Sequence, residues 1–211
     1  MSSSSRRKRA QRKVVDKFKL KSWYQVQAAP YITDQVLGET IADDPQKLYG
    51  RVIEMAKLGI LDDIIADLNL KVRFKIVNVE GTICRTEFVG HEISKEQIRS
   101  HIRRNRSRIE SIQNVTTKDK AKLRISTIIV TPMRCGTSTQ KIIRKAIQEY
   151  IDKKAKEENF QTFVLNIVNR SIASEVETIV NKIYPTILVE IRKSKVLAFP
   201  GGKTLDKIIS A

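Results

Sequence analysis

The sequence predicts an α+β fold with a mostly antiparallel sheet. Two stretches, residues 68–91 and 109–131, alternate apolar and polar side chains on both sides of a turn, which is typical of β-hairpins. Farther along, residues 137–183 place apolar side chains at helical spacing. The chain has 211 residues, a length that suits one large domain or two small ones with a substantial buried core.

The charge balance points to a polyanionic partner. The chain carries 40 Lys or Arg against 23 Asp or Glu, for a net charge of +17. Such an excess is most often found in proteins that bind nucleic acid, and an acidic membrane surface is the second possibility. With 41% hydrophobic and 30% charged residues, the chain is nonetheless expected to be globular.

Targeting and redox signals favour an intracellular protein. No apolar run approaches the ~20 residues that cross a bilayer. The basic start is followed by Val14-Val15-Asp16-Lys17 and not by an apolar segment, so no secretory signal is predicted. The two cysteines, Cys84 and Cys135, have no Cys or His nearby at metal-binding spacing, which indicates buried thiols in a reducing compartment.

Residues 1–21 are predicted to form a disordered basic tail. Four serines and nine cations with a single acid, Asp16, cannot pack a core, and the segment accounts for +8 of the net charge. A nuclear-localisation patch or a solubility tail is the alternative interpretation. The cations expected to contact RNA are Arg6, Arg7, Lys8, Arg9, Arg12, Lys13, Lys17, Lys19 and Lys21.

The first part of the globular region is predicted to contain four strands. Residues 23–29 alternate as a strand and 51–58 favour a strand over a helix, whereas 68–79 and 82–91 form a hairpin with Lys and Arg on one face. Asp43-Asp44-Pro45 resembles a pair of catalytic carboxylates. An Asp cap followed by proline at the first helical position explains it better, as the start of a short helix.

A helix is predicted from Ser94 to Ile109. Ser94 is placed to cap it, and Gln97, three residues later, completes a capping box. Ile98, Ile102 and Ile109 fall on one stripe at 3.6 residues per turn, which predicts a face turned towards the core.

A second stripe of this predicted helix is made of arginines, roughly 5–6 Å apart along the axis. Residues 95–108 contain six Lys or Arg and one acid, Glu96, whereas surface helices usually mix the two signs. Guanidinium groups at this spacing suit a row of phosphates, and a solvated arginine face is the alternative. The predicted RNA contacts here are Arg99, Arg103, Arg104, Arg106 and Arg108.

The remaining elements add two further groups of cations. The second hairpin exposes Lys118 and Lys120 in its loop, and the final strand, 186–196, carries Arg192, Lys193 and Lys195. Between them lie three predicted helices. Thr137 caps the first, and the others cover 160–168 and 173–183. The apolar face of the first is predicted from Ile142, Ile143, Ala146, Ile147, Tyr150 and Ile151.

No catalytic constellation is found, and neither a cofactor nor a metal is predicted. The sequence Pro200-Gly201-Gly202-Lys203-Thr204 ends like a P-loop, but the required earlier glycine is replaced by Leu197. His91 and His101 are the only histidines, and His91 at a strand end is predicted to be a hydrogen-bonded structural residue. Aromatic residues make up 6% of the chain, so phosphate contacts are expected to dominate over base stacking.

Several motifs together resemble one family, the archaeal and eukaryotic small-subunit ribosomal proteins called eukaryotic-type S-one, or three-A-e. They occur in the family's order over about residues 18–197, so nearly the whole chain is covered. The matching segments are Lys21–Trp23, Leu37–Thr40, Asp43–Pro45, Gly50–Val52, Phe88–Glu92, Ile98–Ser100, Arg103-Arg104, Ser107–Ile109, Val115–Asp119 and Val189–Val196. Two positions depart from it: Lys120, where the family often has glycine, and residues 59–63.

The resemblance implies a curled, partly barrel-like sheet flanked by helices, on the platform of the small subunit near the rRNA 3′ end and the mRNA exit. The implied partners are small-subunit ribosomal RNA and neighbouring platform proteins, with no membrane and no homo-oligomer, in the cytoplasm. We therefore expect a basic tail (1–21), an RNA-binding domain (22–199) and a C-terminal tail (200–211). A free-standing RNA-binding factor or chaperone is the alternative, and an RNA-modifying enzyme is a third reading.

Overall fold

The computed structural model describes residues 18–33, 35–56 and 69–200 and confirms the predicted α+β class. The strands are β1 (Ser22–Gln27), β2 (Val36–Ala42), β3 (Val52–Ala56), β4 (Leu70–Glu80), β5 (Ile83–Ile93), β6 (Arg108–Thr116), β7 (Lys122–Val130) and β8 (Leu188–Ala198). The helices are α1 (Lys95–His101), α2 (Thr137–Glu157), α3 (Phe160–Val168) and α4 (Ser171–Asn181), with a short 3₁₀ helix at Pro45–Leu48.

The eight strands form one sheet that is not closed into a barrel. Its main path runs β2-β1-β5-β8-β7-β6, and β4 pairs with the other edge of β5 and carries β3. Every pair is antiparallel except β1–β5, so the expected mostly antiparallel sheet is confirmed. β5 is the shared strand, because its first half pairs with β1 and its second half with β8.

Both predicted hairpins are confirmed. The alternation of apolar and polar residues along their strands explains which side chains are buried and which are exposed. In β4, Val72, Phe74 and Ile76 are fully buried, whereas the residues between them are partly exposed. In β7, the buried Leu123 and Ile125 likewise alternate with the exposed Lys122 and Arg124. One apolar core covers both hairpins.

Tyr31 fills the space along β5 between β1 and β8. Its hydroxyl accepts the backbone N–H of Phe88 at 3.3 Å and donates to a carboxylate oxygen of Glu87 at 3.0 Å. The Tyr31 ring meets Phe160 edge-on, with centroids 6.1 Å apart. Burial raises the pKa of the Tyr31 hydroxyl and that of the Glu87 carboxyl. Tyr31 therefore supplies a β5 amide with a partner in the stretch where neither β1 nor β8 pairs with β5.

The helices follow the hairpins and cover the core. α2 packs on β6, α4 on β8, and α3 on α4. The predicted helices agree with α2, α3 and α4, but two details of α2 are wrong. Gly136, not Thr137, is the cap residue, and Ile142 is 56% exposed, since the buried stripe is Ile143, Ile147 and Ile151. None of the helices in the described part of the chain is long and apolar enough to cross a bilayer.

The predictions for the first fifty residues of the globular region hold in part. β1, β3 and the short helix after Asp44 are confirmed. β2 was not predicted, because Gly38, with a φ of 155°, interrupts its apolar alternation. Residues 1–17 and 201–211, which include seven of the predicted tail cations and most of the P-loop-like segment, lie outside the described residues.

The predicted helix from Ser94 to Ile109 is wrong beyond its first two turns. α1 ends at His101, since Ile102 is extended and Asn105 has a positive φ of 66°. Ile109 belongs instead to β6, where pairing with Ile129 buries it. The capping box is also absent, because the Ser94 hydroxyl donates to Glu96 and caps no helix amide. Long-range pairing with β7 thus outweighs the local helical pattern.

Candidate nucleic-acid interface

The end of α1 and the loop that joins it to β6 expose three arginines whose side chains lack partners. Arg99 lies on α1, and Arg103 and Arg104 lie in the following loop, all of them exposed. None of the three side chains forms an ion pair or hydrogen bond within residues 18–33, 35–56 and 69–200. The predicted ladder along one helix is therefore replaced by a cluster spread over a helix end and a loop.

Two of the other predicted arginines already have protein partners. The Arg106 guanidinium is partly buried and donates to the backbone oxygen of His101 at 2.7 Å, so it satisfies a carbonyl at the end of α1. Arg108 forms an ion pair with Glu110, two residues along β6. Arg106 thus holds the loop in shape, whereas Arg99, Arg103 and Arg104 remain available to a ligand.

The cations of β8 also divide into side chains with an acidic partner and one without. Arg192 pairs with Glu110 at 3.0 Å and Lys193 with Glu92 at 3.1 Å. Burial alone would raise the pKa of Glu92, but the hydrogen bond and charge of Lys193 and the charge of Arg73 hold it below its usual value. Lys195 is exposed and has no partner among the described residues.

Strand register aligns the β8 cations with cations of β7 and β4. Side chains at paired positions lie about 5 Å apart and point to the same side of the sheet. One row of paired positions is Ile112, Ser126, Lys193, Glu92 and Lys71, and the next is Asn114, Arg124, Lys195, Gly90, Arg73 and Glu54. The acids of these rows lie on β3 and β5, so the β6–β8 part of both rows carries only cationic and neutral side chains.

We call the β6–β8 part the cationic sheet patch and define it as Arg124, Arg192, Lys193 and Lys195 around Ile112 and Ser126. These six residues line one shallow concavity of about 290 Å³. Arg124 is oriented by a 2.9 Å hydrogen bond from its Nε to the Asn114 side chain. Sequence analysis missed Arg124, although its position between buried Leu123 and Ile125 marked it as outward-facing.

The cationic sheet patch adjoins the two cations of α1, Lys95 and Arg99. Lys95, Arg99, Arg108 and Arg192 line a common cleft with Ile98 and Ile102. Arg192 belongs to both concavities, so the structure joins cations from residues 95–108 to those from 192–195. The predicted sites from these two distant parts of the sequence therefore share one surface.

Lys118 and Lys120 lie at the other end of the β6–β7 hairpin. Arg108 begins the nine-residue strand β6 and the loop follows its last residue, Thr116, eight positions later and about 27 Å away. Asp119 fixes the loop, because its Oδ2 accepts the backbone N–H of Phe160 at the start of α3, at 3.0 Å. Lys120 has a φ of 61°, a left-handed conformation that glycine adopts without strain.

The described end of the basic tail carries two further predicted cations. Lys19 and Lys21 are exposed, and the Lys21 Nζ lies 5.6 Å from the centroid of the Phe18 ring. Neither contributes to the cationic sheet patch.

The prediction that His91 is structural is confirmed. It is 1% exposed, and both ring nitrogens have protein partners. Cys84 and Cys135 are free and buried, and burial raises the pKa of Cys84 despite the nearby charge of Arg51. Within residues 18–33, 35–56 and 69–200, no group of three His, Cys, Asp or Glu is placed to hold a metal ion.

Comparisons with known proteins agree with this picture of a basic scaffold. The model of the ribosomal S3Ae family matches residues 9–200. A protein of Desulfurococcus amylolyticus, named small ribosomal subunit protein eS1, is 41% identical over 89% of this chain and 87% of its own. Proteins of the same name from Staphylothermus marinus and Methanopyrus kandleri are 40% and 39% identical, over at least 90% of both chains. This chain therefore belongs to the ribosomal S3Ae family.

Proposed function

We propose that this protein is a structural component of the small ribosomal subunit in the cytoplasm and binds ribosomal RNA through phosphate contacts. Three facts support the proposal: the family, the names of the relatives and the net charge of +17. The proposed role is a scaffold and not a catalyst.

The observation that carries the proposal is a group of exposed cations without ion pairs on α1, in the loop after it and on β8. Arg99, Arg103, Arg104 and Lys195 are all exposed and without ion pairs in the described part of the chain. Isolated cations on a protein surface are usually balanced by acids, so a group left open is suited to a row of phosphates. Lys118 and Lys120, about 27 Å away along the hairpin, form a second contact region.

The finer parts of the proposal rest on the family resemblance and the charge pattern. We place the protein on the subunit platform near the rRNA 3′ end and the mRNA exit, beside other platform proteins and as a single copy. The basic tail, residues 1–21, adds secondary RNA contacts to those of the domain at 22–199, and residues 200–211 form a C-terminal tail.

Sucrose-gradient sedimentation of native lysate, with and without RNase, tests the proposal. Co-migration with small subunits at about one copy per subunit, lost after RNase treatment, is the expected result. Migration at the top of the gradient in both samples would instead indicate the free-standing RNA-binding factor. A truncation that begins at residue 22 separates the tail from the domain, and retained assembly would limit the tail to secondary contacts.

A further inference from the structure

We propose that the cationic sheet patch binds an unpaired RNA segment, with Ile112 packing against a base while the surrounding cations hold its phosphates. The inference rests on the proposed function and adds to it the class of RNA and one apolar contact residue.

The first argument is the exposure of Ile112. It is 62% exposed in the middle of a nine-residue strand, at a position whose neighbours in register are polar. A β-branched side chain fits that strand position, but its exposure to water contributes nothing to the core. A ligand with an apolar surface would bury it.

The second argument is the arrangement of charge around this side chain. Four cations, Arg124, Arg192, Lys193 and Lys195, line the concavity with Ile112, and no acid lines it. Arg192 and Lys193 are each paired with an acid outside the concavity, whereas Arg124 and Lys195 form no ion pair in the described part of the chain. Long Arg and Lys side chains cover apolar surface with their methylene groups and keep their charged ends in solvent. The patch therefore offers an apolar floor and a cationic rim, which matches a nucleotide with an exposed base and a flanking phosphate.

The third argument excludes a duplex as the preferred ligand. In an A-form helix the bases are stacked inside and the major groove is too narrow for side chains, so a duplex presents mainly phosphates and 2′-hydroxyls. A duplex could contact the cationic rim but could not place a base on Ile112. The concavity of about 290 Å³ is near the lower end of small-ligand sites, which suits a single nucleotide.

The test compares the full chain and an Ile112→Ser variant for binding to an unpaired 12-nucleotide oligouridine and to a blunt-ended RNA duplex of 12 base pairs. Because Ile112 is exposed, the substitution should leave the fold intact. The matched control is Ile142→Ser, since Ile142 is similarly exposed, at 56%, on α2. Measurements at about 0.3 M salt weaken the sequence-independent contribution of the basic tail.

We expect Ile112→Ser to lower the affinity for oligouridine about fivefold, as for the loss of one partly buried aliphatic contact, and to leave the affinity for the duplex unchanged. The Lys195→Gln variant should weaken both complexes and lower the salt slope by about 0.7 for the single strand. Ile142→Ser should change neither affinity.

Two results would overturn the inference. Equal effects of Ile112→Ser on both RNAs, or no effect on either, would show that the patch contacts only phosphates. The second result is that poly-glutamate displaces RNA from the wild type but not from Ile112→Ser, while Ile112→Ser binds RNA as tightly as the wild type does. That result would assign the patch to an acidic protein partner. In both cases binding of the wild-type chain to ribosomal RNA would persist, whereas failure of the proposed function would abolish that binding as well.

Discussion

His91 and Ser194, 103 residues apart on β5 and β8, exchange two hydrogen bonds. The backbone N–H of His91 donates to the Ser194 hydroxyl at 3.2 Å, and that hydroxyl lies 2.6 Å from the imidazole Nδ1. The other ring nitrogen, Nε2, lies 2.8 Å from the Ile191 backbone oxygen. Since a carbonyl can only accept, Nε2 carries the proton and Nδ1 accepts from Ser194.

The neutral state of His91 predicts a loss of stability in mild acid. Burial lowers its pKa from 6.5 to about 4, because charging the ring inside the core is unfavourable. As the pH falls, the unfolded chain binds this proton before the folded chain does. The stability that the neutral imidazole contributes is therefore complete above pH 6.5 and is lost as the pH falls towards 4. The total loss is about 3 kcal/mol.

Urea unfolding of the wild type and of His91→Gln between pH 7.5 and 5 measures this contribution. The variant should be less stable at pH 7.5 and show a flatter pH dependence. The Glu87 carboxyl, whose pKa burial raises, acts in the opposite direction but is present in both proteins and cancels in the difference. Parallel curves would contradict a buried neutral His91.

The site of Gly90 is predicted to have no room for even one methyl group. A Cβ at this position would lie 2.3 Å from the backbone oxygen of Ser194, so β5 and β8 would have to separate. We expect Gly90→Ala to cost about 3 kcal/mol or more in the free energy of unfolding. Gly136→Ala is the control, because no atom lies within 4 Å of its Cβ and its φ is −62°. Similar losses from both substitutions would contradict the close approach.

The contact from Asp119 to α3 is expected to stabilise that helix. Asp119→Ala removes the acceptor for the Phe160 N–H, and the expected loss is about 1 kcal/mol, as for other helix caps. Asp119→Asn keeps an oxygen acceptor and should lose less. Chemical unfolding followed by circular dichroism measures both, and equal losses would show that charge, not the hydrogen bond, matters here.

Reversing the three unpartnered arginines should weaken RNA binding without unfolding the protein. The variant Arg99→Glu, Arg103→Glu, Arg104→Glu removes three phosphate contacts, which should reduce the salt slope of binding by about 2. Arg106 is left in place because its bond to His101 is structural.

Lys153→Glu, Lys156→Glu, Lys182→Glu is the matched control for this prediction. It makes the same change in net charge at exposed lysines on and after α2 and α4. Filter binding to small-subunit ribosomal RNA over a salt series provides the measurement. If both triple variants weaken RNA binding equally, the arginines act only through the net charge of the protein and not through a specific contact.

The single tryptophan is predicted to report on the surface and not on the core. Trp23 is 61% exposed on β1, so its fluorescence should resemble that of tryptophan in water and be readily quenched by acrylamide. Unfolding in urea should change this emission little compared with the circular dichroism signal. A blue-shifted, protected emission would contradict the orientation of Trp23 in β1.

The sequence predicted best those elements whose burial follows from local alternation. β4, most of β5 and the first half of β7 alternate with period two next to turn residues, and α3 is apolar at helical spacing. Between Ser94 and Ile109, the apolar spacing was compatible with one helix or with a short helix and a strand. Only pairing with β7 distinguishes these, and such long-range register cannot be read from a local window.

The same limit applies to the candidate site. The cations of residues 95–108 and 192–195 were identified from the sequence, but their meeting at Arg192 depends on the pairing of β8 with β7 and β5. Which arginines remain free also depends on tertiary contacts, as shown by the partners of Arg106 and Arg108.

The shared strand β5 has a consequence for how the protein is made. β4 and β5 are adjacent in sequence and can pair early, but the second half of β5 keeps an open edge until β8, almost the last element, has been synthesised. The rows that bring Lys195 beside Arg124 form only at that moment. The nascent chain therefore completes the cationic sheet patch only after β8 has been synthesised, long after the basic segment at residues 1–21 has been made.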